Sequence, residues 1–129
     1  MKVLVFGSRN WLNQKAIEKV LRGLPPGTVV VEGDARGADR IAGFVARLLG
    51  LTVRVYPALA NNRTWPSAGP LRNQEMLDCE HPSEDGTFID RAFCFHENPN
   101  LGKGSRDMVA RLRKAQPPIV IEVSIDRLP

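Results

Sequence analysis

Three short segments set glycine beside hydroxyl and cationic side chains: Gly7-Ser8-Arg9-Asn10, Gly33-Asp34-Ala35-Arg36-Gly37-Ala38-Asp39, and Gly102-Lys103-Gly104-Ser105. Glycine lets backbone N–H groups approach an anion closely. A helix that starts just after such a turn adds free N–H donors and the positive end of its dipole. The chemistry these segments suit is the capture of phosphate, to which Arg9 can add a charge-assisted hydrogen bond and Ser105 a hydroxyl. A fourth segment, Trp65 to Met76, places Arg72 and Asn73 in the first turn of a helix that Pro70 opens. An arginine there opposes the helix dipole, and a bound anion removes that conflict. Asn73 can orient a base or ribose with its amide, and Trp65 can stack on a base.

Each of these residues also has an ordinary structural role. Gly7 and Gly33 suit tight strand-to-helix turns, and Asp34 and Asp39 suit the start of the helix that follows them. Ser105 suits an N-cap, Glu75 a first-turn acid, and Trp65 a lid over the core. Arg9, Lys103 and Arg106 suit a solvated surface. One loop alone decides little; several loops meeting at one edge of a sheet decide more. On that ground the candidate ligand contacts are Gly7, Ser8 and Arg9 from the first loop, and Gly33, Asp34, Ala35, Gly37 and Asp39 from the second. Arg72 and Asn73 come from the Trp65–Met76 segment, and Gly104 and Ser105 from the last loop. No residue is assigned a catalytic role.

The elements that must position these loops alternate between strand and helix. Strands are expected at Lys2 to Phe6, Thr28 to Val31, Thr52 to Val55, Arg91 to Phe95 and Ile119 to Val123. The first helix presents Leu12, Ala16, Ile17, Val20, Leu21 and Leu24 on one face and ends at Pro25-Pro26-Gly27. The second presents Ile41, Ala42, Val45, Leu48 and Leu49 and ends at Gly50. A third is expected from Pro70 to about Asp78, and a fourth from about Arg106 to Ala115. Tyr56 to Trp65 reads as a loop, and Glu80 to Asp85 as an exposed polar excursion. The alternation implies parallel βαβ units, so the fold class is α/β: a Rossmann-like three-layer α/β/α arrangement with a mostly parallel sheet of about five strands. The near-continuous apolar strands fit burial on both sheet faces. In such a sheet ligands bind outside the carboxyl ends of the strands, where strand order reverses, and the candidate loops follow the strands.

The bulk properties narrow the function classes. At 129 residues the chain fits one domain with its own core, residues 1–129. Hydrophobic residues make up 43% and charged residues 25%, a globular balance. The net charge of +4 attracts phosphates of any kind without singling out nucleic acid. Aromatic residues are only 6%, which gives a thin stacking platform for single-stranded nucleic acid. Cys79 and Cys94 read as free thiols of a reducing cytosol. Neither cysteine has zinc-type spacing to His81 or His96, so no metal site is expected, and no cofactor is implied. No run of 18 apolar residues is present, and Met1 to Phe6 leads straight into a strand, so no membrane span or signal peptide is expected.

Taken in order, Gly7-Ser8-Arg9, Gly33-Asp34-Ala35-Arg36-Gly37-Ala38-Asp39, Ala68-Gly69-Pro70-Leu71-Arg72-Asn73-Gln74-Glu75-Met76 and Gly104-Ser105-Arg106-Asp107-Met108 resemble the SLOG superfamily. The nearest branch is the YspA group, related to YpsA, and the resemblance covers almost the whole chain. It implies a Rossmann-like fold of the LOG and DprA kind and a nucleotide-derived ligand, an NAD or ADP-ribose relative. It also implies a sensor or processor of such ligands and a tendency to homo-oligomers. Catalytic LOG phosphoribohydrolases carry a Pro-Gly-Gly-x-Gly-Thr loop followed by a glutamate. Here the loop reads Asn100-Leu101-Gly102-Lys103-Gly104-Ser105, with the hydroxyl kept and the glycine pair and acid absent.

Three functions follow as expectations. The first is a binding or sensing domain for a phosphate-bearing nucleotide derivative. The second is an N-glycosidic hydrolase of nucleotides, which needs a carboxylate; Asp34, Asp39 and Glu75 are the acids at hand. The third is single-stranded nucleic-acid binding of the DprA type, whose affinity would fall steeply with salt.

Overall fold

The computed structural model describes residues 1–128. Five strands form one sheet: β1 (Lys2–Gly7), β2 (Val29–Glu32), β3 (Thr52–Val55), β4 (Arg91–Phe95) and β5 (Val120–Ser124). Four α-helices connect them: α1 (Gln14–Arg22), α2 (Ala38–Leu48), α3 (Ala68–Glu80) and α4 (Lys103–Lys114). The strand order is β3-β2-β1-β4-β5, and every neighbouring pair is parallel. The order reverses between β1 and β4, where Phe6 pairs with Cys94 and Gly7 with Phe95.

The period of a strand explains how one short run serves two cores. Val3 and Val5 of β1 point into a cluster with Ile17, Leu21, Ala42 and Val45, beneath α1 and α2. Leu4 and Phe6 point into a second cluster with Met76, Leu77, Met108 and Leu112, beneath α3 and α4. All four side chains are buried, which is why this strand reads as an unbroken apolar run.

Four expectations are corrected. Leu12 lies outside α1, which starts at Gln14, and stands 60% exposed. Asn13 caps that helix by accepting from the Ala16 N–H, and Trp11 takes the buried place, tilted on Phe95. The two-sided burial expected of the apolar run Ile119 to Val123 fails at β5, an edge strand whose Val120 and Val123 face out. The helices α3 and α4 start earlier than the sequence signals, at Ala68 and Lys103.

Glu80 belongs to the end of α3 and is buried, not part of an exposed excursion. Lys2 lies 3.0 Å from its carboxylate, Arg54 2.6 Å, and the Tyr56 hydroxyl 2.5 Å. Burial alone would raise the Glu80 carboxyl, yet hydrogen bonds from Tyr56, Lys2 and Arg54 hold it below the ordinary range. Lys2 also donates to the Glu80 and Thr87 carbonyls and to Ser83 Oγ, so this cluster ties β1 to the segment between α3 and β4.

Candidate functional site

A cavity of about 890 Å³ opens at the carboxyl ends of β1 and β4, between the first turns of α3 and the start of α4. Gly7 lines it at the end of β1. A Cβ at Gly7 would stand 2.0 Å from the Phe95 carbonyl oxygen, so a side chain there would push the two central strands apart. Gly37, at φ 84, seats α2 on the first loop, where the Ala38 N–H donates to the Ser8 carbonyl at 3.0 Å. The Ser8 hydroxyl donates to Glu97 Oε1 at 2.9 Å and accepts from the Asn10 N–H.

The loops do not supply backbone donors equally. In the second loop the Gly33 and Ala35 N–H groups both donate to Asp39 Oδ2, and the Asp34 N–H donates to Glu32 Oε1. Its donors therefore turn inward to buried carboxylates, and the expected backbone cradle is absent there. Asp34 and Asp39 are not caps of α2; Gly37 takes that position without a side-chain bond. At α4 the opposite holds. Gly102 is the N-cap, no side chain caps the helix, and the N–H groups of Lys103, Gly104 and Ser105 have no acceptor among the described residues. Ser105 is thus the third residue of the helix and not its N-cap. These residues line the cavity, so an uncapped helix start faces it.

Opposite that helix start lies Arg72. It sits in the second turn of α3, one turn later than the sequence places it, because the helix begins at Ala68. The residue is only 9% exposed. Its Nε donates to Asn73 Oδ1 at 2.9 Å and its Nη1 to the Gly33 carbonyl at 2.5 Å. No carboxylate pairs with it among the described residues, and its Nη2 makes no hydrogen bond to protein. Burial lowers its pKa from the ordinary arginine value, and nearby Asp39 opposes that shift. Asn73 in turn donates to Asp107 Oδ2 at 3.0 Å, joining α3 to α4 across the cavity floor.

Two acids behind the site are held out of water. Asp39 is pushed up to about 6 by burial, against the pull of Arg72. Glu32 is pushed up to about 7 by burial and by the charge of Asp39. Glu75 stands apart, bound to Arg63 at 3.0 Å and Asn61 at 2.9 Å.

Of the candidates, Gly7, Ser8, Arg9, Ala35, Asp39, Arg72, Asn73, Gly104 and Ser105 line this cavity. Gly33 and Asp34 line a smaller neighbouring cavity of about 360 Å³, and Gly37 lines neither. Trp65 is 52% exposed, so it is no lid over the core; the Arg9 guanidinium lies 5.3 Å from its ring centre. His96, Lys103, Arg106 and Asp107 also line the cavity and were not among the candidates. His96 had a readable signal, since it directly follows the fourth strand. Its Nδ1 lies 3.1 Å from the Asn98 N–H and its Nε2 3.0 Å from the Gly102 N–H; a neutral imidazole has one acceptor nitrogen, so the tautomer sets which of the two contacts is the hydrogen bond at the loop leading into α4. No group of three metal-ligating side chains occurs among the described residues.

Comparison with family models and with characterised proteins finds no match. Among solved structures, the X-ray structure of DNA processing protein A (DprA) from Streptococcus pneumoniae superposes with a TM-score of 0.53 and 19% identity. The chain has the Rossmann-like fold. The alignment covers 98% of this chain and 59% of that one, so this chain spans little more than half of the neighbour's length. The observed 3-2-1-4-5 order agrees with that architecture, and the cavity lies at its switch point. No helix is long and apolar enough to cross a membrane among the described residues.

Proposed function

We propose that the cavity binds a phosphate-bearing nucleotide or nucleotide derivative, with the phosphate between the start of α4 and Arg72. The observation that carries this reading is Arg72 itself: a nine-tenths-buried guanidinium with no ion pair and one nitrogen unused among the described residues. A buried charge is costly unless it is paired, and a ligand phosphate is the partner that completes it. The free N–H groups of Lys103, Gly104 and Ser105 supply the complementary donors. The cavity has the size range of small-molecule sites. The sequence resemblance to the SLOG superfamily and its YspA branch supports the same ligand class, an NAD or ADP-ribose relative.

Binding is favoured over N-glycosidic hydrolysis because both cavity-lining carboxylates are engaged. Asp39 Oδ2 holds the second loop, and Asp107 Oδ2 accepts from Asn73 and Arg111. A second reading, binding of single-stranded nucleic acid, draws on the fold shared with DNA processing protein A. A thermal-shift screen separates the three, with AMP, ADP-ribose, NAD and short oligonucleotides as ligands and mass spectrometry of the products. Stabilisation by a small nucleotide without product supports the sensor reading. Release of free base replaces it with hydrolysis, and stabilisation by oligonucleotides alone replaces it with nucleic-acid binding.

A further inference from the structure

The 360 Å³ cavity shares Arg9, Ala35, Trp65 and Arg72 with the larger one, so the two are adjoining chambers on either side of a ridge. The ridge is the stacked pair Arg9 and Trp65. Beyond it the wall carries Arg36 and Arg40, and the only acid lining this chamber among the described residues is Asp34.

The second loop explains how these arginines are set. Its N–H donors point inward to Asp39 and Glu32, which leaves its carbonyls to accept from outside. Arg72 takes the Gly33 carbonyl, and Arg40 Nε takes the Asp34 carbonyl at 3.1 Å and Asp34 Oδ1 at 3.2 Å. Arg36 Nε takes the Arg9 carbonyl at 3.3 Å. In both Arg36 and Arg40 the Nε is used, and neither Nη nitrogen makes a hydrogen bond among the described residues. The loop therefore replaces a backbone cradle with guanidinium groups, the side chain best matched to phosphate. Trp65 and the Pro57–Leu59 segment give the same chamber an apolar side against which a ring can lie.

We propose that this chamber is a second anion subsite and that the ligand is a dinucleotide. One phosphate-bearing unit occupies the larger cavity, and the second crosses the Arg9–Trp65 ridge to meet Arg36 and Arg40. This rests on the nucleotide reading of the larger cavity.

The test is calorimetric titration with AMP and with the 5′-phosphorylated dinucleotide pApA, on the wild type and on an Arg36→Ala/Arg40→Ala double variant. Arg40 is 61% exposed at its side chain, and circular dichroism and the thermal midpoint check that the variant folds. The expected result is that pApA binds the wild type about tenfold tighter than AMP, the worth of one charge-assisted contact. The double variant loses that gain and keeps its AMP affinity. Equal affinity of the two probes for the wild type overturns the inference while leaving the larger cavity's role intact. Parallel loss of both probes in the variant also overturns it, since no separate subsite then exists. Binding of neither probe to the wild type overturns the nucleotide reading and the inference together.

Discussion

Arg72 and Gly33 stand 39 residues apart in the chain, yet the Arg72 Nη1 donates to the Gly33 carbonyl at 2.5 Å. That contact fixes a buried guanidinium at the border of two cavities, with one edge bound to protein and another left over. It is possible because position 33 has no side chain: a Cβ there would lie 2.5 Å from Nη1.

Replacing Arg72 with alanine is expected to weaken phosphate-ligand binding by about tenfold to a hundredfold, the range for losing charge-assisted hydrogen bonds. The fold should survive, because among the described residues the guanidinium makes no salt bridge and donates only to the Gly33 carbonyl and Asn73 Oδ1. Calorimetric titration with far-ultraviolet circular dichroism checks both parts. Unchanged affinity in a folded variant would remove Arg72 from the site.

The Gly33→Ala variant is expected to displace the guanidinium from its carbonyl and reduce ligand affinity, while costing only about 1 kcal/mol of stability. An urea titration beside the ligand titration separates the two. Loss of stability with full affinity would mean that Arg72 relaxes around the methyl group and still binds.

Glu32 and Asp39 predict a pH dependence of definite sign. Their folded values, about 7 and about 6, lie above the ordinary 4.5 and 3.8. The folded protein thus keeps protons that the unfolded chain has released. The stability they contribute is full below the unfolded values and is lost as pH rises through the folded ones. Glu32→Gln, which cannot ionise, should be more stable than the wild type at pH 8 by roughly 1–3 kcal/mol. Its thermal midpoint should also fall less between pH 5 and pH 7. A variant with the wild-type pH profile would exclude Glu32 as the source.

The Lys2–Glu80 pair predicts stability without function. Replacing Glu80 with glutamine leaves a buried ammonium short of its partner and should cost about 3 kcal/mol. Ligand affinity of the folded fraction should be unchanged, since neither residue lines either cavity. Reduced affinity at full folding would tie this cluster to the site.

The fold was legible because the strands are apolar and the helices periodic: Val3 to Phe6 reads as a core strand, and it is one. Edge strands break the rule, and nothing in the run at β5 says that Val120 and Val123 face out. The lining of the larger cavity was legible where a residue follows a strand or opens a helix, as at Gly7, Arg72 and Asn73. It was not legible where partners lie far along the chain. The inward turn of the second loop depends on Asp39 reaching back to Gly33 and Ala35, which reverses the role read from its glycines. Glu80 looked like part of a polar loop because its partners Lys2, Arg54 and Tyr56 come from two different strand regions. Ser105 looked like a cap because Gly102 offers no side chain to mark the true helix start.

The measurement that tests the central claim most directly is an amide NMR titration of the protein with AMP. The account predicts saturable shifts centred on the N–H groups of Lys103, Gly104 and Ser105 and on the side-chain N–H groups of Arg72. A spectrum that does not move, or that moves only at residues outside the cavity, would contradict it.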